Sequence, residues 1–95
     1  MAESLPLRLS YDHRMHLRTA REEILNAFVS LERRHGRKDF ALAEVLAEAQ
    51  TQGTVHLEST LRTHIASAMC INAPPHHAVR HDDLERIARG RYRRL

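Results

Sequence analysis

The chain has 95 residues, a formal net charge of +3 and a hydrophobic content of 42%, which together indicate one small globular domain. Its single cysteine excludes an internal disulfide framework, and no apolar run is long enough to span a membrane. We therefore expect a soluble, cytoplasmic protein whose core is largely aliphatic, since only four side chains are aromatic.

The positive charge is concentrated in the C-terminal part of the sequence. Residues 1–58 contain eight Arg or Lys and nine Asp or Glu, whereas residues 59–95 contain seven Arg and three acids. Five of these arginines lie between Arg86 and Leu95, where there is no acid. Such clustering is typical of a surface that binds phosphate groups. A coding bias toward arginine would explain the preference for Arg over Lys, but not the clustering.

The N-terminal third of the sequence predicts an arm followed by a long helix. Residues 1–13 contain Pro6 and show no sustained hydrophobic period, so we expect a flexible arm that precedes a domain over residues 14–95. The first helix is predicted from about Arg14 to Arg34, and Gly36 is well placed to end it in a left-handed conformation. Its apolar stripe comprises Leu17, Ile24, Leu25, Phe28 and Leu31.

A short strand and a second helix follow. Asp39–Ala41 is predicted to be a very short strand with Phe40 as its anchor. The segment from about Leu42 to Thr51 is rich in Ala, Glu and Leu, which are strong helix formers. A turn around Gly53 then separates this helix from the next, as in a helix-turn-helix motif.

The third helix is predicted over Leu57–Cys70, with Glu58 or Ser59 as its cap, and it has an unusual polar face. Its apolar face comprises Leu57, Leu61, Ile65 and Ala68, with Met69 beside them. The other face carries hydroxyls, one Arg and one His, namely Ser59, Thr60, Arg62, Thr63, His64 and Ser67. An ordinary surface helix instead carries pairs of opposite charge at i,i+4 spacing. This face is therefore suited to the crowded, negatively charged major groove of DNA.

The C-terminal residues are predicted to form a β-hairpin. Two short strands, Leu84–Ala88 and Arg91–Leu95, flank a turn at Arg89–Gly90, with Ile87 and Tyr92 facing the core. Positive charge on such strands can simply protect an edge from aggregation, but one or two charges are enough for that purpose. The arginines expected to project from the tip and outer face are Arg89, Arg91 and Arg93.

This order of elements resembles the winged helix-turn-helix family of DNA-binding domains, and in particular small modules of actinobacterial type. The resemblance covers residues 14–95 and is carried by Phe40–Val45, Glu58–Ile65 and Leu84–Arg93. It implies an α+β, mainly helical fold with three helices and a C-terminal β-hairpin wing. It also implies that the third helix enters the major groove while the hairpin lies on the backbone or in the minor groove.

The resemblance further implies roles for individual residues. Ser59 and Thr60 would contact phosphate, whereas Arg62, Thr63 and Ser67 would face the bases, and the wing would contribute Arg89, Arg91 and Arg93. The chemistry of His64, apart from the resemblance, allows it to contact a base or phosphate or to pack beside the core. Arg62 is the first candidate because Arg can bind guanine through two hydrogen bonds, although it could instead pair with Glu58 one turn earlier. Asp82 and Asp83 argue against the preceding loop as a contact.

Metal binding and catalysis have little support in the sequence. Cys70, His76, His77 and His81 lie close together, but the cysteine-rich spacings of structural zinc sites are absent. There is also no nucleophile motif and no glycine-rich phosphate loop. We therefore expect no metal, no cofactor, no small-molecule substrate and no enzymatic activity.

These features predict a protein that binds double-stranded DNA in a sequence-specific manner, most simply a transcriptional regulator associated with the nucleoid. A homodimer is compatible with this prediction, because a twofold protein would suit a palindromic site. The alternative is a protein–protein interaction or dimerisation module that has the same fold but does not touch DNA.

Overall fold

The computed structural model describes residues 18–73 and 81–95 of the chain. This part contains the helices α1 (Ala20–His35), α2 (Leu42–Thr51) and α3 (Glu58–Thr63), and the last of these continues as a π-helical turn over His64–Ala68. It also contains the strands β1 (Asp39–Ala41), β2 (Leu84–Ala88) and β3 (Arg91–Arg94). The fold is α+β and mainly helical, with a winged-helix-like topology, which confirms the predicted fold class. The predicted arm, residues 1–13, lies outside the described residues.

Helix α1 has well-defined ends. Thr19 precedes it, and the Thr19 hydroxyl accepts a hydrogen bond from the Glu22 amide at 3.1 Å, while the Glu22 carboxylate accepts one from the Thr19 amide at 2.9 Å. Because this capping box fixes the start at Ala20, the predicted start near Arg14 is wrong. The predicted end is confirmed, since Gly36 has a φ angle of +67° and its amide donates to the Glu32 carbonyl at 2.9 Å.

Helix α2 has the predicted bounds, and two hydrogen bonds hold the start of the helix. The Glu44 carboxylate accepts from the Ala41 amide at 2.8 Å. The Leu42 amide donates to the carbonyl of Gly90 at 2.9 Å, so the turn of the C-terminal hairpin lies against the start of α2. These contacts satisfy backbone donors that the first turn of a helix leaves without intrahelical partners. Gly53, with a φ angle of +83°, supports the turn after α2.

Helix α3 is shorter than predicted at both ends. Leu57, rather than Glu58 or Ser59, occupies the cap position, and its extended backbone removes it from the apolar stripe. Leu57 is 72% exposed, so the prediction that it shares one apolar face with Leu61 and Ile65 is wrong. The helical segment ends at Ala68 instead of Cys70 because the chain then pairs with the start of β2. In that pairing the Leu84 amide donates to the Met69 carbonyl at 2.9 Å.

The three strands form an antiparallel sheet with β3 between β1 and β2. A two-residue hairpin turn would pair Ile87 with Tyr92, but one extra residue between Arg86 and Ala88 shifts the register, and Tyr92 pairs with Arg86. Tyr92 is buried as predicted, whereas Ile87 is 43% exposed and does not face the core. Leu84 takes the core position that the sequence assigned to Ile87.

The core lies between α1, α2, α3 and the inner face of the sheet. It is largely aliphatic, as expected, and Phe28 and Phe40 meet edge to face in it with their ring centroids 6.1 Å apart. The largest fully buried side chains are those of Phe28, Phe40, Ile24, Leu61, Ile65, Met69, Leu84, Val45 and Cys70. Since Leu61, Ile65 and Met69 belong to this set, the buried side of α3 fixes which of its side chains face outward.

Candidate nucleic-acid interface

The polar side chains that the sequence singled out on α3 do lie on one side of the helix. Ser59, Arg62 and Thr63 are exposed, together with Ala66. Half-buried on the flank of this group are Thr60, His64 and Ser67. A shallow concavity of about 290 Å³ is lined by Ser59, Thr60, Thr63 and His64. We call the side of the helix that carries these residues, with Glu58, the outer face of α3.

Two side chains on the outer face of α3 bind the helix backbone. The Thr63 hydroxyl donates to the Ser59 carbonyl at 3.0 Å, and Nδ1 of His64 lies 2.9 Å from the Thr60 carbonyl. Because a carbonyl oxygen can only accept, the proton of this His64 contact is on Nδ1. The Thr63 oxygen, and Nε2 of His64 in the ring with its single proton on Nδ1, therefore keep lone pairs that can accept hydrogen bonds.

Arg62 pairs with Glu58 one turn earlier on the same face. The Glu58 Oε2 atom accepts from Nε of Arg62 at 3.1 Å and from Nη2 at 2.9 Å. Both side chains are about half exposed, at 52% for Arg62 and 50% for Glu58. An exposed i,i+4 pair contributes only about 0.3 to 0.5 kcal/mol, whereas a good bidentate contact with a base contributes about 1 to 3 kcal/mol. Because the pair with Glu58 is the weaker of the two interactions, Arg62 remains available to form hydrogen bonds with a base.

The hairpin arginines differ from the prediction, because the fold brings acids to them. Arg91 pairs with Asp39 of β1 at 2.6 Å, and Arg93 pairs with Glu85 of β2 at 2.6 Å. These pairs lie on the outer face of the sheet and partly neutralise its charge. Since β3 is the central strand, protection of an edge does not explain its arginines. Within the described residues, Arg89, at the hairpin turn, has no carboxylate within ion-pair distance and is exposed.

Arg86 is a further candidate, which the sequence pattern does not single out. It lies on the edge strand β2, it is exposed, and no ion pair forms to it in the part of the chain that the structure describes. Its backbone is held by Asn72, whose Oδ1 accepts from the Arg86 amide at 3.0 Å and whose Nδ2 donates to the Arg86 carbonyl at 2.9 Å. The buried Cys70 thiol also donates to Asn72 Oδ1 at 3.0 Å. Asn72 thus joins the segment after α3 to the hairpin.

The turn between α2 and α3 is fixed to α1 by polar contacts. The Thr54 hydroxyl donates to the Glu23 carboxylate, and Nε2 of His56 lies 2.9 Å from the Arg18 carbonyl. Nε2 of His56 is also 3.8 Å from the Glu23 carboxylate. These contacts set the position at which α3 begins, and hence the direction of its outer face.

Other ion pairs connect the helices and the sheet away from the outer face of α3. Arg21 binds Asp83 through two hydrogen bonds of 2.7 and 2.9 Å, and this guanidinium holds the pKa of the Asp83 carboxyl below its usual range. In the same way, Arg34 lowers the pKa of Glu48 on α2, a side chain that is otherwise buried. Asp83 therefore has a structural role, because its ion pair with Arg21 connects α1 to the start of the sheet.

No group of three or more His, Cys, Asp or Glu side chains in residues 18–73 and 81–95 is arranged to hold a metal ion. Of the four side chains considered for zinc, His76 and His77 lie outside the described residues. Among the described helices, none is both long enough and apolar enough to cross a membrane.

Comparison with curated proteins and with solved structures finds no significant match to the chain. A family match does exist, and it covers residues 18–94, from the residue before the α1 cap to the end of β3. The chain therefore belongs to the family described as domain of unknown function DUF7669.

Proposed function

We propose that the chain binds double-stranded DNA in a sequence-specific manner and acts as a transcriptional regulator. In this proposal α3 and its π-helical turn enter the major groove. The hairpin of β2 and β3 lies against the phosphate backbone or in the adjacent minor groove. The two parts have separate tasks, since base contacts specify a sequence and phosphate contacts position the protein.

The observation that carries the proposal is the outer face of α3. It presents one guanidinium, four hydroxyl-bearing side chains and an imidazole, with Glu58 as its one carboxylate among the described residues. Every polar side chain on this face can form hydrogen bonds to base edges or phosphates. The buried residues Leu61 and Ile65 on the opposite side hold the face outward.

The hairpin supports the same proposal, through two residues rather than through the whole arginine run. Arg86 and Arg89 are exposed cations, and neither forms an ion pair with an acidic side chain in the described part of the chain. Arg89 follows β2 at the tip of the hairpin, where a wing would approach DNA. Two phosphate contacts would make the logarithm of the association constant fall with the logarithm of salt concentration at a slope of about −1.8.

The test is binding of the whole chain to a fluorescent random-sequence duplex, measured by anisotropy between about 50 and 200 mM salt, a range over which phosphate contacts are sensitive. We expect binding at low salt that weakens with the slope given above. The double variant Arg86→Ala, Arg89→Ala should abolish most of that slope. Arg33→Ala is the matched control, because Arg33 is an exposed arginine on α1 with no ion pair among the described residues. Absence of binding at 50 mM salt, or an equal loss in the Arg33→Ala variant, contradicts the proposal.

The second candidate function is a protein–protein interaction or dimerisation module, and one specific observation favours it. Val55 and Leu57, in the turn before α3, are 71% and 72% exposed, and both are large apolar side chains. Neighbouring apolar side chains with this exposure are common at protein interfaces. Size-exclusion chromatography with light scattering of the wild type and of a Val55→Ser, Leu57→Ser variant tests it. An oligomer that the variant dissociates, in a chain that fails to bind DNA, would favour this candidate.

A further inference from the structure

Glu58 and Arg62 leave specific hydrogen-bonding atoms available on the outer face of α3. Arg62 has five N–H donors, and Glu58 Oε2 takes one from Nε and one from Nη2. No other described residue bonds to Nη1 of Arg62 or to Oε1 of Glu58. The pair therefore presents the end of the guanidinium, which is a double donor, beside a carboxylate oxygen, which can only accept.

This donor–donor–acceptor order matches one type of base pair. Across the major groove a G·C pair presents two acceptors on guanine, N7 and O6, followed by the amino donor of cytosine. An A·T pair presents an acceptor, a donor and then another acceptor, so a double donor followed by an acceptor meets two mismatches there. The end of the Arg62 guanidinium can donate to N7 and O6 of guanine while the Glu58 carboxylate accepts from the amino group of cytosine.

The charge of the pair also favours base recognition over phosphate binding. The two opposite charges nearly cancel, so the pair provides little attraction for the DNA backbone. The Glu58 carboxylate repels phosphate groups, and this repulsion disfavours any register in which no cytosine amino group meets it. Glu58 further holds the Arg62 side chain in one direction, which lowers the entropy lost when Arg62 binds.

We propose that Glu58 and Arg62 act as one unit that reads a G·C base pair, with Arg62 donating to guanine and Glu58 accepting from the cytosine amino group. This inference rests on the proposed function and adds to it a class of target, a duplex with a G·C pair at the position that faces this unit. Glu58 becomes a specificity-determining residue rather than the partner that occupies Arg62.

The experiment is selection from a random 20-base-pair duplex library with the wild-type chain and three variants, followed by affinity measurements on the selected duplex. The wild type should select an invariant G·C position. Glu58→Ala should lose discrimination between G·C and A·T at that position by about fivefold or more, the lower end of the value of a bidentate base contact. Glu58→Gln, which adds an amide donor, removes one of the two mismatches with A·T and should reduce the discrimination at that position. Arg62→Ala should lose the same position.

The control is Asp82→Asn, which removes one exposed negative charge that lies outside α3. This variant should keep the selected G·C position, so that a general effect of charge is separated from base reading. Circular dichroism verifies that each variant is folded. A Glu58→Ala variant that selects the same position as the wild type with the same discrimination overturns the inference while the proposed function stands. If the wild type selects no sequence at all, both fall.

Discussion

Arg94, near the end of the chain, binds Glu32 of α1 through two hydrogen bonds, with Nη2 2.7 Å from Oε1 and Nε 3.0 Å from Oε2. The Glu32 side chain is only 10% exposed, so this pair connects the inner side of the sheet to α1 at the margin of the core. One of the five C-terminal arginines therefore has a structural role. The arginine run is not a single basic patch.

We expect Arg94→Ala to destabilise the fold by about 1 to 2 kcal/mol, because the largely buried Glu32 carboxylate loses both of its hydrogen bonds to Arg94. The exposed Lys38, whose Nζ lies 3.9 Å from Glu32 Oε1, is then its remaining described cation. The value lies in the lower part of the usual range, since the Arg94 side chain is itself 35% exposed. Urea denaturation followed by circular dichroism measures the change. Arg33→Ala, which removes from α1 an exposed arginine with no ion pair among the described residues, should change stability by less than 0.5 kcal/mol, as is usual at the surface. Equal effects of the two variants would contradict the structural role of Arg94.

The stability of the protein should decrease in acid. Arg94 lowers the pKa of Glu32, Arg34 lowers the pKa of Glu48, and Arg21 lowers the pKa of Asp83. A carboxyl whose pKa is lower in the folded state contributes stability above its unfolded pKa and loses it as the pH falls through the folded pKa. The ordinary values are 4.5 for Glu and 3.8 for Asp, so the loss begins near these values and continues below them.

Urea midpoints measured from pH 7 down to pH 2 test this expectation. The midpoint should stay nearly constant down to about pH 5 and fall steadily below it. A Glu48→Gln variant lacks one of these carboxyls, and its midpoint should fall less steeply in acid than that of the wild type. A midpoint that rises as the pH is lowered from 5 to 3 would contradict the sign of all three pKa shifts.

The local elements could be predicted from the sequence because short-range signals specify them. Gly36 ends α1, Gly53 marks the turn after α2, and Gly90 marks the hairpin, and all three have the positive φ angles that such positions require. The residues on the outer face of α3 could also be predicted, since helical spacing places them together.

What the sequence could not predict depends on the register and on contacts between distant residues. Because β2 contains an extra residue, Leu84 is buried in the core and Ile87 is exposed. No local sequence pattern marks that bulge. Asp39 and Glu85 meet Arg91 and Arg93 only because β3 lies between their two strands, and composition does not show this strand order. Arg86 could not be singled out from the sequence for the same reason, since only the assembled sheet shows that no described acid forms an ion pair with it.

The division of the hairpin arginines predicts different effects on DNA binding. Arg89→Ala should reduce the magnitude of the salt slope by about 0.9, the value of one phosphate contact. Arg91→Ala should reduce it by clearly less, because Arg91 is already paired with Asp39. Titration of a random-sequence duplex at several salt concentrations measures both slopes.

A third variant provides the control for this pairing effect. Asp39→Asn removes the negative charge that Arg91 meets, so it should make the salt slope of the otherwise wild-type chain steeper. If Arg89→Ala and Arg91→Ala have the same slope, or if Asp39→Asn leaves the slope unchanged, the hairpin arginines are equivalent and the ion pairs do not determine which of them bind phosphate.

Asn72 should hold the hairpin to the segment that follows α3. Its side chain makes two hydrogen bonds with the backbone of Arg86, which lies on the edge strand of the three-stranded sheet that the described residues form. We expect Asn72→Ala to cost about 1 to 2 kcal/mol and to speed amide hydrogen exchange at Arg86 more than at Tyr92, because the loss is local to the edge. Asn26→Ala, at an exposed position of α1, is the matched control and should leave both amides unchanged. Exchange that accelerates equally at Arg86 and Tyr92 in Asn72→Ala would mean that the whole fold is loosened and that Asn72 does not act on the edge of β2 alone.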